Sequence, residues 1–290
     1  MCSWSVEVPC TRAVDPDAGE DGGADADAST EKPCVAMCNQ ARPPGTQPIA
    51  FCSTTPPDAS GVIIANCGGC GVGRPPRGFL AQMVFAPSDA AERLAQMAQL
   101  EAASVDAFYA LHADLARLGA PQRLLQAVLA AAKDEVRHAR AVKRAAERLG
   151  ACVPEVALPV ARSRSLVELA IANAEEGCVN ETFGAALAAM QAERAVDPRI
   201  RNMMRGIAKD ELGHAALSWE LAAWLDVQLD DSGRAAVARA RRVAVQALDL
   251  GLASEGDGCA LLGLPDAKVA RDALRTMATA LATGDLARAA

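Results

Sequence analysis

Two short segments of the chain repeat each other and carry the same pair of chemical groups at the same spacing. Residues 132–139 read AKDEVRHA and residues 208–215 read AKDELGHA. In each segment a Glu precedes a His by three positions, which on a helix places both side chains on one face, one turn apart. A carboxylate and an imidazole in that arrangement can bind a single metal ion. The two pairs are Glu135 with His138 and Glu211 with His214.

A further Glu lies upstream of each pair, inside an apolar stretch. Glu101 precedes the first pair and Glu176 precedes the second, at nearly the same distance along the chain. Phe108 and Phe183 are separated by the same offset as Glu101 and Glu176. The spacing therefore predicts that residues 88–229 are a duplicated helical hairpin.

The predicted cluster would place four carboxylates and two imidazoles in an interior of Ala, Leu and Met. Uncompensated charges cost several kcal/mol each when they are buried. Two divalent cations would supply four positive charges against the four carboxylates, and mixed oxygen and nitrogen ligands favour iron or manganese. The alternative is a metal-free bundle with satisfied core histidines. The predicted ligands are Glu101, Glu135, His138, Glu176, Glu211 and His214.

Three acids close to the predicted ligands need separate interpretations. Asp134 and Asp210 each precede the His of their own segment by one helical turn, so each is expected to accept the second imidazole N–H. The alternative is two solvated acids in a repeated sequence. Glu181 follows Glu176 by five positions, about 140° round an α-helix. We therefore expect Glu181 to flank the site as an outer partner or a surface acid.

The elements that must position these residues are long helices. From Ser88 onward the apolar residues recur with a period near 3.6, and the abundance of Ala and Leu favours helix. Capping and stop residues predict four long helices, which are 88–118, one from Pro121 to Gly150, one from Ser165 and one from Asp197–Pro198. Two further helices are predicted near residues 231–250 and 266–284.

The predicted connections between the four helices are short, long and short. The long one comprises residues 151–164. Extended, it would span roughly 46–50 Å, whereas a 30-residue helix is about 45 Å long. The link can therefore run the length of the bundle.

In these positions the chain resembles the ferritin-like superfamily. Its di-iron members use one Glu from each of two helices and Glu-x-x-His from each of the other two. The resemblance covers residues 88–229 and is closer to rubrerythrin-like and hydroxylase-type members than to ferritins. It implies an all-α fold, a four-helix bundle with one long crossover, to which residues 230–290 add helices. It also implies a site that binds two iron ions, with manganese as the alternative.

The resemblance implies a di-iron oxidoreductase that activates O2 or peroxide and receives electrons from a donor. Two other functions stay open, a non-catalytic iron-binding or storage protein and a disulfide-rich envelope scaffold without metal. Rubrerythrins carry a module of paired CxxC motifs. Here the gap between Cys34 and Cys38 is one position too long for such a pair, so the route of electrons is left open.

Residues 1–87 are predicted to be an irregular, Cys-rich extension. Seven of the ten cysteines lie between Cys2 and Cys70, a region too poor in large apolar residues to form a core. Disulfides and an extracytoplasmic location are therefore expected. A zinc or rubredoxin-like iron site is the alternative for four of the cysteines between Cys34 and Cys70. Cys2 is expected to pair with Cys10 or, alternatively, to carry a lipid anchor, and we interpret the start as following a removed signal peptide.

Composition excludes two other kinds of partner. The net charge is −7, whereas phosphate binding requires a basic surface, so nucleic acid is not an expected partner. A single Tyr and five Phe leave little for base stacking. The sequence also contains no apolar run long enough to cross a bilayer, so we expect no transmembrane segment.

Overall fold

The computed structural model describes residues 4–9, 51–54, 62–68, 84, 86–156, 162–252 and 259–283. Within these ranges the chain is mostly helical. The α-helices are α1 (Asp89–Arg117), α2 (Gln122–Arg148), α3 (Leu166–Ala172), α4 (Thr182–Arg194), α5 (Pro198–Asp226), α6 (Asp231–Leu252) and α7 (Ala267–Thr283). A π-helical stretch, Asn173–Glu181, joins α3 to α4 without a break and is called the π segment below. A short 3-10 turn, Ala260–Leu262, precedes α7.

The helices begin and end at the residues whose chemistry favours those positions. Ser88 accepts a hydrogen bond from a backbone N–H in the first turn of α1, and Ser165 forms a capping box at the start of α3. Asp197 caps α5, which has proline at its first position. Gly119 and Gly150 follow α1 and α2 with φ of 76° and 88°, a conformation that glycine adopts without strain. The predicted starts of the four long helices are therefore confirmed.

Two apolar clusters fill opposite ends of the space between the long helices, and each draws residues from all four. The Phe108 cluster contains Phe108, Leu111, Leu115, Leu124, Val128, Leu169, Leu217, Leu221 and Leu225. The Leu94 cluster contains Leu94, Ala98, Val142, Ala146, Ala188, Ala192, Ile200, Met204 and Ile207. Burying this surface is the main stabilising contribution to the bundle.

The order of these residues along the chain gives the direction of each helix. Helices α1 and α5 run from the Leu94 cluster to the Phe108 cluster, whereas α2 and the continuous α3–α4 helix run the opposite way. The connection between α2 and α3 starts at Ala151, within the Leu94 cluster. At its other end Arg164 Nε donates to Asp114 Oδ2 at 2.7 Å, beside Leu115 of the Phe108 cluster. Its two ends therefore lie at opposite ends of the bundle, as the predicted crossover requires.

Helices α6 and α7 cover the outside of the π segment. Their apolar residues form a third cluster with Val179 and Phe183, which includes Leu248, Leu274 and Met277. Two helices were predicted for this part of the chain, and both are present. None of the helices that the structure describes is long and apolar enough to cross a membrane.

The N-terminal region differs from the irregular extension that the sequence predicts. Three strands, β1 (Trp4–Pro9), β2 (Phe51–Thr54) and β3 (Val62–Gly68), form an antiparallel sheet in the order β1-β3-β2. The strands WSVEVP and VIIANCG are rich in β-branched residues, which favour extended backbone. The predictions for Cys2, Cys10, Cys34, Cys38 and Cys70 lie outside the described residues.

Candidate metal centre

A band of buried polar residues separates the two apolar clusters at the middle of the bundle. All six predicted ligands are buried there, and so is Glu181. The residues come from α1 (Glu101), α2 (Glu135 and His138), the π segment (Glu176 and Glu181) and α5 (Glu211 and His214). Each long helix therefore contributes at least one acid at the same level.

The buried side chains form two groups that could each hold a metal ion. In the first group, ligand atoms of Glu101, Glu135, His138 and Glu211 lie within 4.8 Å of one another. The second group, at the same spacing, consists of Glu181, Glu211 and His214. Glu211 belongs to both groups. Glu135 also lies between them, because its Oε1 is 3.0 Å from His214 Nδ1.

The Nδ1 atoms of the two histidines point at carboxylate oxygens. His138 Nδ1 lies 3.3 Å from Glu211 Oε1 and 3.5 Å from Glu101 Oε2. His214 Nδ1 lies 3.0 Å from Glu135 Oε1. Both Nδ1 atoms are buried, yet neither has a hydrogen-bond partner among the described residues. A nitrogen that converges with several carboxylate oxygens in this way fits a bound cation, whose ligands surround one point rather than pair with each other.

The opposite nitrogen of each ring is held by an aspartate, and the pairing crosses between helices. His138 Nε2 lies 3.1 Å from Asp210 Oδ2, and His214 Nε2 lies 3.4 Å from Asp134 Oδ2. The expectation that each Asp serves the His of its own segment is therefore wrong, although both acids do contact an imidazole. Helices α2 and α5 are antiparallel neighbours, so the Asp of each segment lies opposite the His of the other.

Arg137 contacts both of these aspartates, a role that the sequence analysis did not identify. Its Nη1 pairs with Asp134 Oδ1, and its Nη2 lies 3.0 Å from Asp210 Oδ2. The sequence signal for this role is a difference between the two repeats, since the second has Gly213 where the first has Arg137.

The electrostatics of the cluster favour protons on the imidazoles. Burial opposes a charged ring, but the carboxylates of Glu101 and Glu211 outweigh it and raise the pKa of His138 to about 11. In the same way, Glu135 and Glu211 raise the pKa of His214 to about 12.

The pKa values of the two carboxylates nearest the imidazoles are shifted in opposite directions. Burial and the neighbouring Glu101 charge raise the pKa of Glu135 well above its ordinary value. Burial also opposes ionisation of Glu211, but the two imidazolium rings lower its pKa to about 2. Protons on both rings and on Glu135 therefore balance much of the buried negative charge, as cations would.

The expectation that Glu181 could be a surface acid is wrong, because its side chain is buried among the other acids of the site. Its side chain is 1% exposed, and its carboxylate belongs to the second ligand group. The angle of about 140° between Glu176 and Glu181 applies to an α-helix, whereas both lie in the π segment. A π-helix bonds residue i to residue i+5, so residues five apart lie close to one turn apart. Glu176 is buried as predicted, at 6% exposure, but it is not a member of either group.

No family model matches the chain, and neither a curated protein nor a solved structure matches it. The described part of the chain is mostly helical and contains a buried Glu/His cluster that could hold metal.

Proposed function

We propose that this chain is a ferritin-like di-iron oxidoreductase that reduces O2 or peroxide with electrons from a donor. The observation that carries the proposal is the pair of buried ligand groups that share Glu211. Two adjacent sites with a common carboxylate would place two cations side by side, and each group contains one imidazole. The helix directions and the ends of the long connection support the ferritin-like arrangement.

The residues divide naturally between two ions. Glu101, Glu135, His138 and Glu211 would hold the first, and Glu181, Glu211 and His214 the second, with Glu135 close to both. We retain Glu176 as a candidate for the second ion, because the sequence repeat aligns it with Glu101. The donors are carboxylate oxygens and imidazole nitrogens, a set that suits iron or manganese rather than metals that prefer thiolates. The buried thiol of Cys178 donates instead to the Ser218 carbonyl oxygen at 3.5 Å.

When bound, the two ions would supply the electrons and the Lewis acidity needed to reduce O2 or peroxide. The chain's own residues would provide the conditions for that chemistry. The two apolar clusters above and below the site exclude bulk water. Asp134 and Asp210 would fix the ring orientation of both histidines at Nε2. Because their side chains are 25% exposed, these acids could also pass protons between the buried rings and solvent.

The proposal extends to the surroundings of the protein. The cysteine-rich N-terminal region supports an extracytoplasmic location, where disulfides persist. The electron donor would then be a protein or small molecule of the cell envelope.

Metal analysis followed by oxygen uptake tests the proposal. Protein from iron-supplemented cells should contain two iron ions per chain. After anaerobic reduction, the protein should consume O2 when exposed to it, and the absorption spectrum of the reduced form should disappear. His138→Ala should reduce the iron content, whereas His112→Ala should not, since His112 is the one histidine of the three outside the cluster.

Each alternative function has its own result in this experiment. Two bound ions without O2 or peroxide turnover would indicate a non-catalytic metal-binding protein. Loading far beyond two ions per chain would indicate iron storage. Protein that takes up no metal from iron-supplemented cells would overturn the proposal in favour of a scaffold.

A further inference from the structure

The two repeated segments differ at one position that contacts the site. Three positions after Asp134 the first segment has Arg137, and three positions after Asp210 the second has Gly213. Arg137 reaches both aspartates, one on its own helix and one on α5. A structure built from two similar halves therefore uses a single guanidinium for both.

We propose that Arg137 is a positioning residue that couples the two halves of the metal centre by orienting Asp134 and Asp210 together. The proposal rests on the proposed two-metal site. Through Asp210, Arg137 acts on His138, and through Asp134 it acts on His214. One exposed side chain would thus set the orientation of both buried imidazoles.

The geometry of the guanidinium makes this role chemically reasonable. Its planar group presents several N–H donors in a fixed fork, so two of them can donate to two different carboxylates at once. Nη1 and Nη2 of Arg137 do so here. The two aspartates carry like charges, and a cation between them offsets their repulsion. Each carboxylate is thereby held with its second contact directed at an imidazole Nε2.

The crossed pairing makes the coupling distinguishable from a local effect. A residue that oriented only Asp134 would affect His214 alone, because Asp134 contacts the ring of the other helix. A surface ion pair with no further role would leave metal binding unchanged, since such pairs contribute little even to stability. Only a group that holds both aspartates should affect both ions.

Gly213 offers a second way to test the same contact. A Cβ added there would meet no atom within 4 Å among the described residues, so a side chain can be accommodated. An arginine at 213 would lie three positions after Asp210 and opposite Asp134, which is the relation of Arg137 with the two helices exchanged. Gly213→Arg should therefore restore the function of Arg137 in a chain that lacks it.

Titration with Co²⁺ under anaerobic conditions measures the coupling. The parent should bind two ions, and Arg137→Ala should weaken both binding steps about 10-fold or more, in the range for lost outer partners of metal ligands. Arg137→Lys should recover only part of the loss, because an ammonium lacks the planar fork. The double variant Arg137→Ala/Gly213→Arg should recover both steps. Arg140→Ala is the control, as it removes the same charge from an exposed position of the same helix.

The metal-free protein provides a second readout, the exchange of the imidazole Nε2–H protons measured by NMR. Both protons should exchange faster in Arg137→Ala than in the parent. Unchanged Co²⁺ binding in this variant, or a change in only one step or one ring, would overturn the coupling while the two-metal proposal stands. If the parent binds no Co²⁺, the metal proposal fails, and the exchange of the two Nε2–H protons alone decides whether Arg137 positions both rings.

Discussion

Asp210 Oδ2 lies 3.1 Å from His138 Nε2, so a residue of helix α5 orients a histidine of helix α2. The reciprocal contact, Asp134 with His214, has the same form at 3.4 Å. Each half of the sequence repeat therefore completes the other half, and neither hairpin alone contains a histidine with its aspartate. Because each half supplies the aspartate for the histidine of the other half, both hairpins are needed to form the site.

The crossed contacts predict which histidine each aspartate affects. Asp210→Asn should perturb the His138 ring and weaken the ion bound by Glu101, Glu135, His138 and Glu211, by roughly 10- to 100-fold. Asp134→Asn should do the same to His214 and the other ion. In the Co²⁺-loaded protein, the shifted NMR signals of the two ring N–H protons identify the affected ring. If each variant perturbs the histidine of its own helix, the crossed arrangement is incorrect.

The π segment predicts that Glu181 is required for the second ion. Glu181→Ala should lower Co²⁺ binding from two ions per chain to one tightly bound ion, because it removes a carboxylate from a group of only three side chains. The same titration of Glu176→Ala tests the other candidate acid for the second ion. Glu175→Ala, at a half-buried neighbouring position, is the control. Loss of the second ion in the Glu176 variant with retention in the Glu181 variant would favour the assignment from the sequence repeat.

The spacing of residues in the sequence predicts some features of the site and not others. The Glu-x-x-His pairs, Glu101 and Glu176 all have buried positions, because a period of 3.6 residues assigns each residue to a face of its helix. The inward turn of Glu181 depends on a local change of hydrogen-bond register, which has no period of its own in the sequence. The contacts of Asp134, Asp210 and Arg137 depend on which helices are neighbours, and a pattern within one helix does not contain that information.

The short antiparallel sheet predicts a disulfide in the N-terminal region. Cys52 and Cys67 are directly opposite each other in the pairing of β2 with β3. Opposed residues in antiparallel strands have Cα atoms about 4.5–5.5 Å apart, within the range of about 4.4–6.8 Å for disulfides. Peptide mapping without reduction should recover a Cys52–Cys67 link. Titration of the denatured, unreduced protein that finds more than eight thiols would contradict it, since one disulfide leaves at most eight of the ten cysteines free.

Asp114 should stabilise the end of the long connection in a pH-dependent way. Burial opposes its ionisation, but hydrogen bonds from Arg164 and Arg117 outweigh this and hold its pKa below the ordinary value. A carboxylate whose pKa is lowered by folding contributes stability above its unfolded pKa, and the contribution is lost as the pH falls through the folded pKa.

Replacement of Asp114 by Asn should therefore lower the free energy of unfolding by about 2 kcal/mol at pH 7, the size of charged hydrogen bonds. The difference from the parent should shrink as the pH falls below about 4. Urea unfolding followed by circular dichroism at several pH values measures both effects. Asp272→Asn is the control, since Asp272 forms an exposed ion pair within α7. An equal effect of the Asp114 substitution at pH 7 and pH 3 would exclude the charge as its cause.

Metal binding should release protons, and its affinity should rise with pH. In the protein without metal the pKa of His138 is about 11 and that of His214 about 12, so both rings are protonated at pH 7. A metal ion can bind Nδ1 only after the proton there has left, and Glu135, whose pKa is raised, must also lose its proton.

Because bound protons compete with the metal, each proton released should raise the apparent affinity about tenfold per pH unit. Calorimetric titration with Co²⁺ in buffers of different ionisation enthalpy counts the protons directly, between pH 6 and pH 8. Two or more should be released when both ions bind. His138→Ala should release fewer protons and bind less metal, whereas His112→Ala should match the parent in both. Binding that is independent of pH over this range would mean that the imidazoles do not bind the ions.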